Sequence, residues 1–403
     1  MALRGTNQEF GRPYNRRIVL ETIRLHAPVT RADIARRVGL TTQTVANIVR
    51  EIEDQGFIVS RRAEPKGRGY PAATLAINPE GGFAIGIHVT PLGLEAGLIN
   101  VAGEVIGRAR RDLPRVDPDT AFREIGAMVT ELAALRPNGR MLGVGMAMPG
   151  PFGVESMSFV GPTTLEGWKG VPVRQSLATA TGLPAFIEVD LAAAAHGERL
   201  YGAGRDFRDF YYLYFGVGLG GSMVHDGAAL RGAWGNAGEI GHMPVVPDGD
   251  PCPCGNRGCL ERYVSLEAWE RRAHGVGEER WIADAAPLFR AALVTIENLF
   301  DPETIVVGGL APARLLTRLA EAAAPLPNSV AARSDRGAAR VTLSPVGQDA
   351  VLLGAAALAV SGVLSPRFGM MFAEGPRRGA RDPLVAASSP GSSSSRRSRP
   401  RST

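Results

Sequence analysis

The stretch that decides the reading of this chain runs from Gly238 to Glu261. It reads Gly238-Glu-Ile-Gly-His242 and then, nine intervening residues on, Cys252-Pro-Cys254-Gly-Asn-Arg-Gly-Cys259-Leu-Glu261. All three cysteines of the protein fall within eight residues, and the first follows His242 by ten. Three thiolates and one imidazole are the donor set of a closed tetrahedral zinc site, so His242, Cys252, Cys254 and Cys259 are read as ligands of a structural zinc ion. Gly255 and Gly258 let the short loop bend back so that Cys259 completes the shell. Three unrelated thiols account for the pattern less well, because random placement rarely gathers every cysteine of a long chain into one Cys-x-Cys-x4-Cys loop. A disulfide would leave one thiol over.

Two carboxylates flank the ligands. Glu239 precedes His242 by three residues and Glu261 follows Cys259 by two, so folding the loop onto one metal brings both acids near it. A zinc-bound imidazole keeps a second ring nitrogen that can donate to a ligand hydroxyl. Carboxylates beside an imidazole N–H suit a polyol such as a sugar.

The segment Gly235-Asn-Ala-Gly-Glu-Ile-Gly-His242, followed by Cys-Pro-Cys-Gly-Asn-Arg-Gly-Cys-Leu-Glu261, resembles the signature of the ROK family of sugar-responsive repressors and sugar kinases. Looser similarity extends from about Asn15 to Val360. The resemblance implies an α/β body with the two-lobed actin-like (ribonuclease H-like) fold and a ligand cleft between lobes. It also implies a homodimer or homotetramer.

Charge divides the chain into three. Residues 1–78 carry 13 basic and 7 acidic side chains, or +6; residues 79–365 carry 24 and 31, or −7; residues 366–403 carry 8 and 2, or +6. A basic end on an acidic body predicts that the end, and not the body, meets a polyanion. No signal peptide is visible, and the longest apolar run, Val351 to Leu364, is too short to cross a bilayer. Few cysteines, all in one metal loop, fit a reducing cytoplasm.

The basic end has helical patterning. Asn15 to Leu25 suits a first helix. Thr30 is placed to cap a second, with Asp33 reaching back, and Ile34, Ala35 and Val38 facing inward. After Gly39, Thr41 or Thr42 starts a third whose apolar Val45, Ile48, Val49 and Ile52 recur at i, i+3, i+4 and i+7. Its other face offers Gln43, Thr44, Asn47 and Arg50, groups that read base edges or hold phosphates. Extended runs from Phe57 and from Ala73 then flank Lys66-Gly-Arg68-Gly-Tyr70-Pro71, a β-hairpin wing whose Lys66 and Arg68 suit a minor groove. The expected partner is operator DNA; a helical module for protein contact is the alternative, but charge, helix pattern and wing together favour DNA. The segment resembles the winged helix-turn-helix of ROK repressors, with Tyr70 in place of the second arginine of their Gly-Arg-Gly-Arg-Pro wing.

In the body, β-rich runs at Ala84–Ile87, Gly93–Ile99, Glu104–Ile106, Leu142–Ala147, Tyr211–Phe215 and Thr304–Gly309 alternate with a helical stretch over Ala121–Leu135 and predict α/β lobes. Asp190 ends the extended run Pro184–Val189 and opens an alanine-rich helix, a place where carboxylates face the ligand crevice. The resemblance makes Asp190 a sugar contact, and the general base were the chain a kinase. Gly150, in Pro149-Gly150-Pro151, matches a family turn at the cleft, and Trp168 matches a cleft loop, with a packed aromatic as its other reading.

The same resemblance argues against catalysis. The family's first phosphate loop is Asp-x-Gly-Gly-Thr; here it is His88-Val-Thr-Pro-Leu92, without the acid that holds Mg²⁺ and with a proline that donates no N–H. The family's Asn-Asp pair is Val189-Asp190, and Ala192 replaces a second asparagine. A glycine-rich loop, Gly216-Val-Gly-Leu-Gly-Gly221, remains. The expectation is therefore a repressor of transcription that senses a sugar or sugar derivative and is not an enzyme, with an ATP-dependent sugar kinase carrying a DNA-binding segment as the alternative. A third possibility is a vestigial pocket, with a protein partner carrying the signal. Residues 1–78, 79–365 and 366–403 are assigned to the winged helix, the sugar domain and a disordered Ser/Arg tail whose composition offers no core.

Overall fold

The computed structural model describes residues 11–61, 73–150, 165, 167, 168, 170–233, 236–331, 333 and 335–364. The expectations placed on Lys66, Arg68, Tyr70, Pro151, Gly235 and the segment 366–403 lie outside the described residues.

Three helices and a small sheet come first: α1 (Gly11–His26), β1 (Val29–Thr30), α2 (Arg31–Val38), α3 (Thr42–Asp54), β2 (Ile58–Arg61) and β3 (Thr74–Ile77). The caps read from the sequence are present. The Thr30 hydroxyl accepts from the Asp33 N–H at 3.2 Å and the Asp33 carboxylate accepts from the Thr30 N–H at 3.3 Å. Gly39 ends α2 in the left-handed region, at φ 70°. Thr41 caps α3 by accepting from the Thr44 N–H at 3.1 Å. Val45, Ile48, Val49 and Ile52 are buried as their spacing requires. The wing is an antiparallel pair with Ile58 opposite Ile77 and Arg61 opposite Thr74. Strand β1 adds to its far edge through Val29 opposite Leu75. Two residues carry no readable period, which is why this strand escaped the sequence.

The body repeats one sheet order twice. The first lobe holds β4 (Phe83–Thr90), β5 (Gly93–Asn100), β6 (Val105–Asp112), α4 (Pro118–Ala133), β7 (Met141–Met148), α5 (Val173–Thr181), β8 (Ala185–Val189) and α6 (Asp190–Tyr201). Its sheet runs β6-β5-β4-β7-β8, antiparallel through β4 and parallel from β4 to β8. The second lobe holds β9 (Phe210–Phe215), β10 (Leu219–His225), β11 (Ala228–Ala229), α7 (Leu266–Val276), α8 (Glu278–Phe300), β12 (Thr304–Gly309), α9 (Ala313–Ala323) and β13 (Val341–Leu343), after which α10 (Ala350–Leu364) returns to the first-lobe sheet. The second-lobe order is β11-β10-β9-β12-β13, with β9, β12 and β13 parallel. This duplicated arrangement is the actin-like fold. Strands β9 and β12 are buried at every residue, as continuous apolar runs in a sheet covered on both faces should be.

The apolar run Val351–Leu364 becomes α10, a core helix lying against β4, β7 and α6. Its approach is so close that a Cβ on Gly145 of β7 would sit 1.8 Å from the Ala355 carbonyl oxygen. A Cβ on Gly354 would sit 1.9 Å from that of Ala193. Among the described residues no helix is long and apolar enough to cross a membrane. One apolar cluster joins Ile18 and Val19 of α1 to Leu200 of α6 and Leu353 and Ala357 of α10, so the winged helix is seated on the body.

Candidate metal centre and ligand cleft

His242 closes a single 3-10 turn, Ile240–His242, between β10 and the cysteine loop. The loop folds back on itself: the Cys252 N–H donates to the Asn256 carbonyl at 2.8 Å and the Gly258 N–H to that of Asp250 at 2.8 Å. A bridge between Pro244 and Cys259 then brings the last cysteine under the histidine turn. Gly258 makes the return possible, since its φ is 71° and a Cβ there would meet the Val246 carbonyl oxygen at 1.7 Å.

The ligand atoms of His242, Cys252, Cys254 and Cys259 all lie within 4.8 Å of one another. The spacing fits an ion. Bonds of about 2.3 Å to sulfur and about 2.0 Å to nitrogen in a tetrahedron put S···S pairs about 3.8 Å apart and S···N pairs about 3.5 Å apart. Here Cys254 Sγ to Cys259 Sγ is 3.7 Å and Cys252 Sγ to His242 Nδ1 is 3.5 Å. The four residues named from the sequence therefore form a cluster able to hold a metal ion.

The same imidazole faces the cleft. Its Nε2 lies 3.8 Å from Glu239 Oε2. Burial raises the Glu239 carboxyl above the ordinary range, His242 offsets this and Glu261 adds to it; the side chain is 42% exposed, so solvent screens the shift. Glu261 accepts from the Leu219 N–H at 2.9 Å, at the turn between β9 and β10. Gly218 leaves room for it, because a Cβ there would be 2.2 Å from Glu261 Oε2.

Asp190 opens α6 directly after β8. Burial pushes its carboxyl up to about 7; the Leu191 N–H, donating at 2.7 Å, works against this, and the charge of Glu239 adds to it. Asp190, Glu239, Glu261 and His242 thus form one electrostatically connected group, although 71 residues separate Asp190 from Glu261. Parallel β7 and β8 pair Met148 with Val189, so Gly150 and Asp190 leave the sheet from the same edge. A polyol entering there would meet acceptors from three carboxylates and a ring N–H.

Trp168 is a correction to the cleft-loop reading. It is fully buried, meets the Phe122 ring in a tilted contact with centroids 5.4 Å apart, and donates its indole N–H to the Val116 carbonyl at 2.7 Å. It is a core aromatic. His88, in the position of the first phosphate loop, is also interior: it lies within β4, and burial alone pulls its pKa down to about 4. Pro91 and Leu92 form a tight turn, where the Leu92 N–H donates to the Thr90 hydroxyl at 3.3 Å. His196 donates to or accepts from the Ser361 hydroxyl at 2.8 Å, and His225 contacts Asp209 at the surface; neither joins the cleft group.

The sequence did not reveal the ion pair of Glu188 with Arg231. It links β8 of the first lobe to the segment after β11 of the second, two residues before Asp190. The partners are 43 positions apart and belong to no motif.

On the winged helix, Gln43, Asn47 and Arg50 are exposed along α3, and Thr44 is half-buried. The Gln43 amide donates to the Asn47 side chain at 3.2 Å, which aligns the two along one face.

A family model described as the ROK family matches residues 84–361, and one described as the MarR family matches residues 10–69. A putative xylose repressor of Caldicellulosiruptor sp. (strain Rt8B.4) is 31% identical over 257 residues, 63% of this chain and 64% of that relative. The match therefore spans a little under two thirds of the relative's length. A xylose repressor of Caldicellulosiruptor bescii is 28% identical over 338 residues, covering 74% of this chain and 83% of that one. Among solved structures, a ROK family transcriptional regulator, a homolog of the E. coli MLC protein, superposes with a TM-score of 0.69 over 89% of this chain and 97% of the other, and at 23% identity it bears on the fold alone. A ROK family glucokinase from Streptomyces griseus, solved with glucose and AMPPNP, superposes with a TM-score of 0.58 at 26% identity over 70% of this chain and 100% of that one. Sheet order, the metal-ligand cluster and the match over residues 84–361 agree: the chain belongs to the ROK family, with a MarR-type winged helix ahead of the family domain.

Proposed function

We propose that the protein is a DNA-binding repressor of transcription whose ROK domain senses a sugar or sugar derivative. The observation that carries this reading is the seating of the winged helix on α6. That helix begins at Asp190 in the ligand group and ends at Leu200–Tyr201 beneath α1. There the Arg24 guanidinium reaches the Leu200 carbonyl at 3.5 Å, and the Arg205 guanidinium donates to the Arg24 carbonyl at 3.4 Å. A helix of 12 residues moves as a rod, so a sugar that draws Asp190 toward Glu239, His242 and Glu261 shifts the platform under the DNA-reading helix. The effect is a population shift, as large as the sugar's differential affinity for the two arrangements.

In this reading zinc occupies the His242, Cys252, Cys254 and Cys259 cluster and acts structurally, orienting His242 toward the ligand. Gly150 lets the backbone approach the sugar. Gln43, Thr44, Asn47 and Arg50 face operator DNA, with Lys66 and Arg68 at the wing. The winged helix occupies residues 1–78, the sugar domain 79–365 and a basic tail 366–403. The protein acts in the cytoplasm as a homodimer or homotetramer, so that two reading helices engage two half-sites.

The repressor names of the two relatives above and the closed hairpin at His88–Leu92 support a non-enzymatic role. One observation favours the alternative of an ATP-dependent sugar kinase: Asp190, with its carboxyl near 7, suits a general base. A screen of sugars for thermal stabilisation, followed by operator binding with each hit and by an ATP-turnover assay, separates the two. Sugar-dependent release of operator DNA without ATP consumption supports the repressor. ATP-dependent phosphorylation of a sugar overturns it.

A further inference from the structure

A cavity of about 850 Å³ lies where the winged helix meets the body. None of its described lining residues belongs to the His242–cysteine cluster or to the Asp190 group. Its walls come from α1 and α2 of the winged helix, from α5 and β8 of the first lobe, from α6 and α10, and from the turn between β10 and β11 of the second lobe.

Its charge is lopsided. Among the described residues six guanidinium groups line it, those of Arg24, Arg37, Arg174, Arg199, Arg208 and Arg231, against three carboxylates. Each carboxylate is ion-paired with an arginine: Glu21 with Arg24, Glu188 with Arg231 and Asp226 with Arg208. The formal surplus is +3. Arg37 and Arg174 are exposed, and neither has a hydrogen bond or ion pair among the described residues. The histidines at the cavity register the field. Burial, then Arg37 and Arg199, lowers His26; burial, then Arg24, lowers His196 to about 4. Both shifts favour the neutral imidazole and so work against any addition to the positive charge. Leu25, Phe186, Leu200 and Leu358 supply an apolar side.

A volume of this size holds a ligand of ordinary metabolite dimensions. Guanidinium groups pair with phosphate and carboxylate oxygens two at a time, which fixes orientation as well as affinity. We propose that this cavity is a second ligand site, taking a small organic anion of two or more negative charges, with the shared chemistry of a phosphate ester or a polycarboxylate. Because Arg37 comes from the winged helix, Arg174 from the first lobe and Arg208 from the second, such an anion bridges all three and holds the DNA-reading unit against the body. It is separate from the sugar site, and its test requires neither the sugar nor the operator.

The experiment is isothermal titration of the full chain with pyrophosphate and with citrate, at ionic strength matched with sodium chloride. Binding of at least one, at one per chain and with a Kd below about 1 mM, is expected for a site with several guanidinium partners, and Arg37→Ser/Arg174→Ser should weaken it roughly tenfold or more. The double variant's circular dichroism and Tm without ligand should match the parent's, since neither arginine has a described partner. Pyrophosphate binding alone assigns a phosphate ester, and citrate binding alone a polycarboxylate. No binding of either, or equal binding by parent and double variant, overturns the proposal. Loss of operator affinity in the double variant, with anion binding intact, also overturns it and assigns the two arginines to DNA phosphates.

Discussion

His242 Nε2 lies 3.8 Å from Glu239 Oε2, while Nδ1 of the same ring lies 3.5 Å from Cys252 Sγ. One imidazole therefore faces both the cluster able to hold a metal and the Glu239 carboxylate, and its contact with Cys252 sets the direction in which Nε2 points. A ring held through Nδ1 presents Nε2 as its N–H donor.

Cys254→Ser and Glu239→Gln should accordingly separate the two roles. The cysteine variant should lose stoichiometric metal by elemental analysis and, with it, sugar-induced thermal stabilisation. The glutamate variant should keep its metal while sugar affinity falls by roughly tenfold or more, since a charged hydrogen-bond acceptor is removed. A metal-free Cys254→Ser protein with normal sugar response would contradict the dependence of the cleft on the cluster.

Asp190 ties stability to pH. Its folded-state pKa, about 7, lies above the ordinary aspartate value, so the folded protein binds its proton more tightly than the unfolded chain. Its contribution is favourable at low pH and is lost as pH rises from about 4 to 7. Asp190→Asn should therefore raise the Tm at pH 8 relative to the parent, with a stability gain of roughly 1–3 kcal/mol for a half-buried carboxyl. The gain should vanish near pH 4. A variant equally stabilised at both pH values would show that desolvation of the charge is not the cause.

Arg50 is exposed on α3 beside Asn47. Arg50→Ala should weaken operator binding and reduce the slope of log K against log salt by about one, as expected when the protein neutralises one phosphate fewer. The Tm should stay within about 1 °C of the parent, since exposed changes of this kind cost little. Operator titrations at three salt concentrations are the measurement, and an unchanged slope would remove Arg50 from the interface.

Gly145→Ala tests the close seat of α10. The added methyl would fall 1.8 Å from the Ala355 carbonyl oxygen, and neither the strand nor the helix can yield without moving the core. A loss of at least about 3 kcal/mol is expected, measured by urea denaturation of the full chain. Gly170→Ala is a useful contrast: its φ is 75° but nothing lies within 4 Å of its Cβ, so its smaller cost, about 1 kcal/mol, reflects backbone conformation alone.

The winged helix was the most legible part of the chain. Its signals are local: Thr30 with Asp33, Gly39, and the spacing from Val45 to Ile52 each act within a few residues. The cluster able to hold a metal was legible for a related reason, because Cys252, Cys254 and Cys259 are crowded in sequence before they are crowded in space. The strands of the body could be placed approximately, since continuous apolar runs such as Thr304–Gly309 mark covered sheets. Two-residue β1, the burial of Trp168 and the partnership of Glu188 with Arg231 left no such mark.

By itself, then, the order of residues marked the helices of the winged unit, several strands of the body and four side chains that can share an ion, because short-range sterics, hydrogen bonding and donor chemistry set those outcomes. Tertiary structure decided where Asp190 stands relative to Glu239, that α6 runs from Asp190 to the foot of α1, and that six arginines from separate elements face one cavity. Those relations depend on how two sheets, α6 and α10 pack. Packing is a long-range compromise of shape and burial that no local pattern encodes.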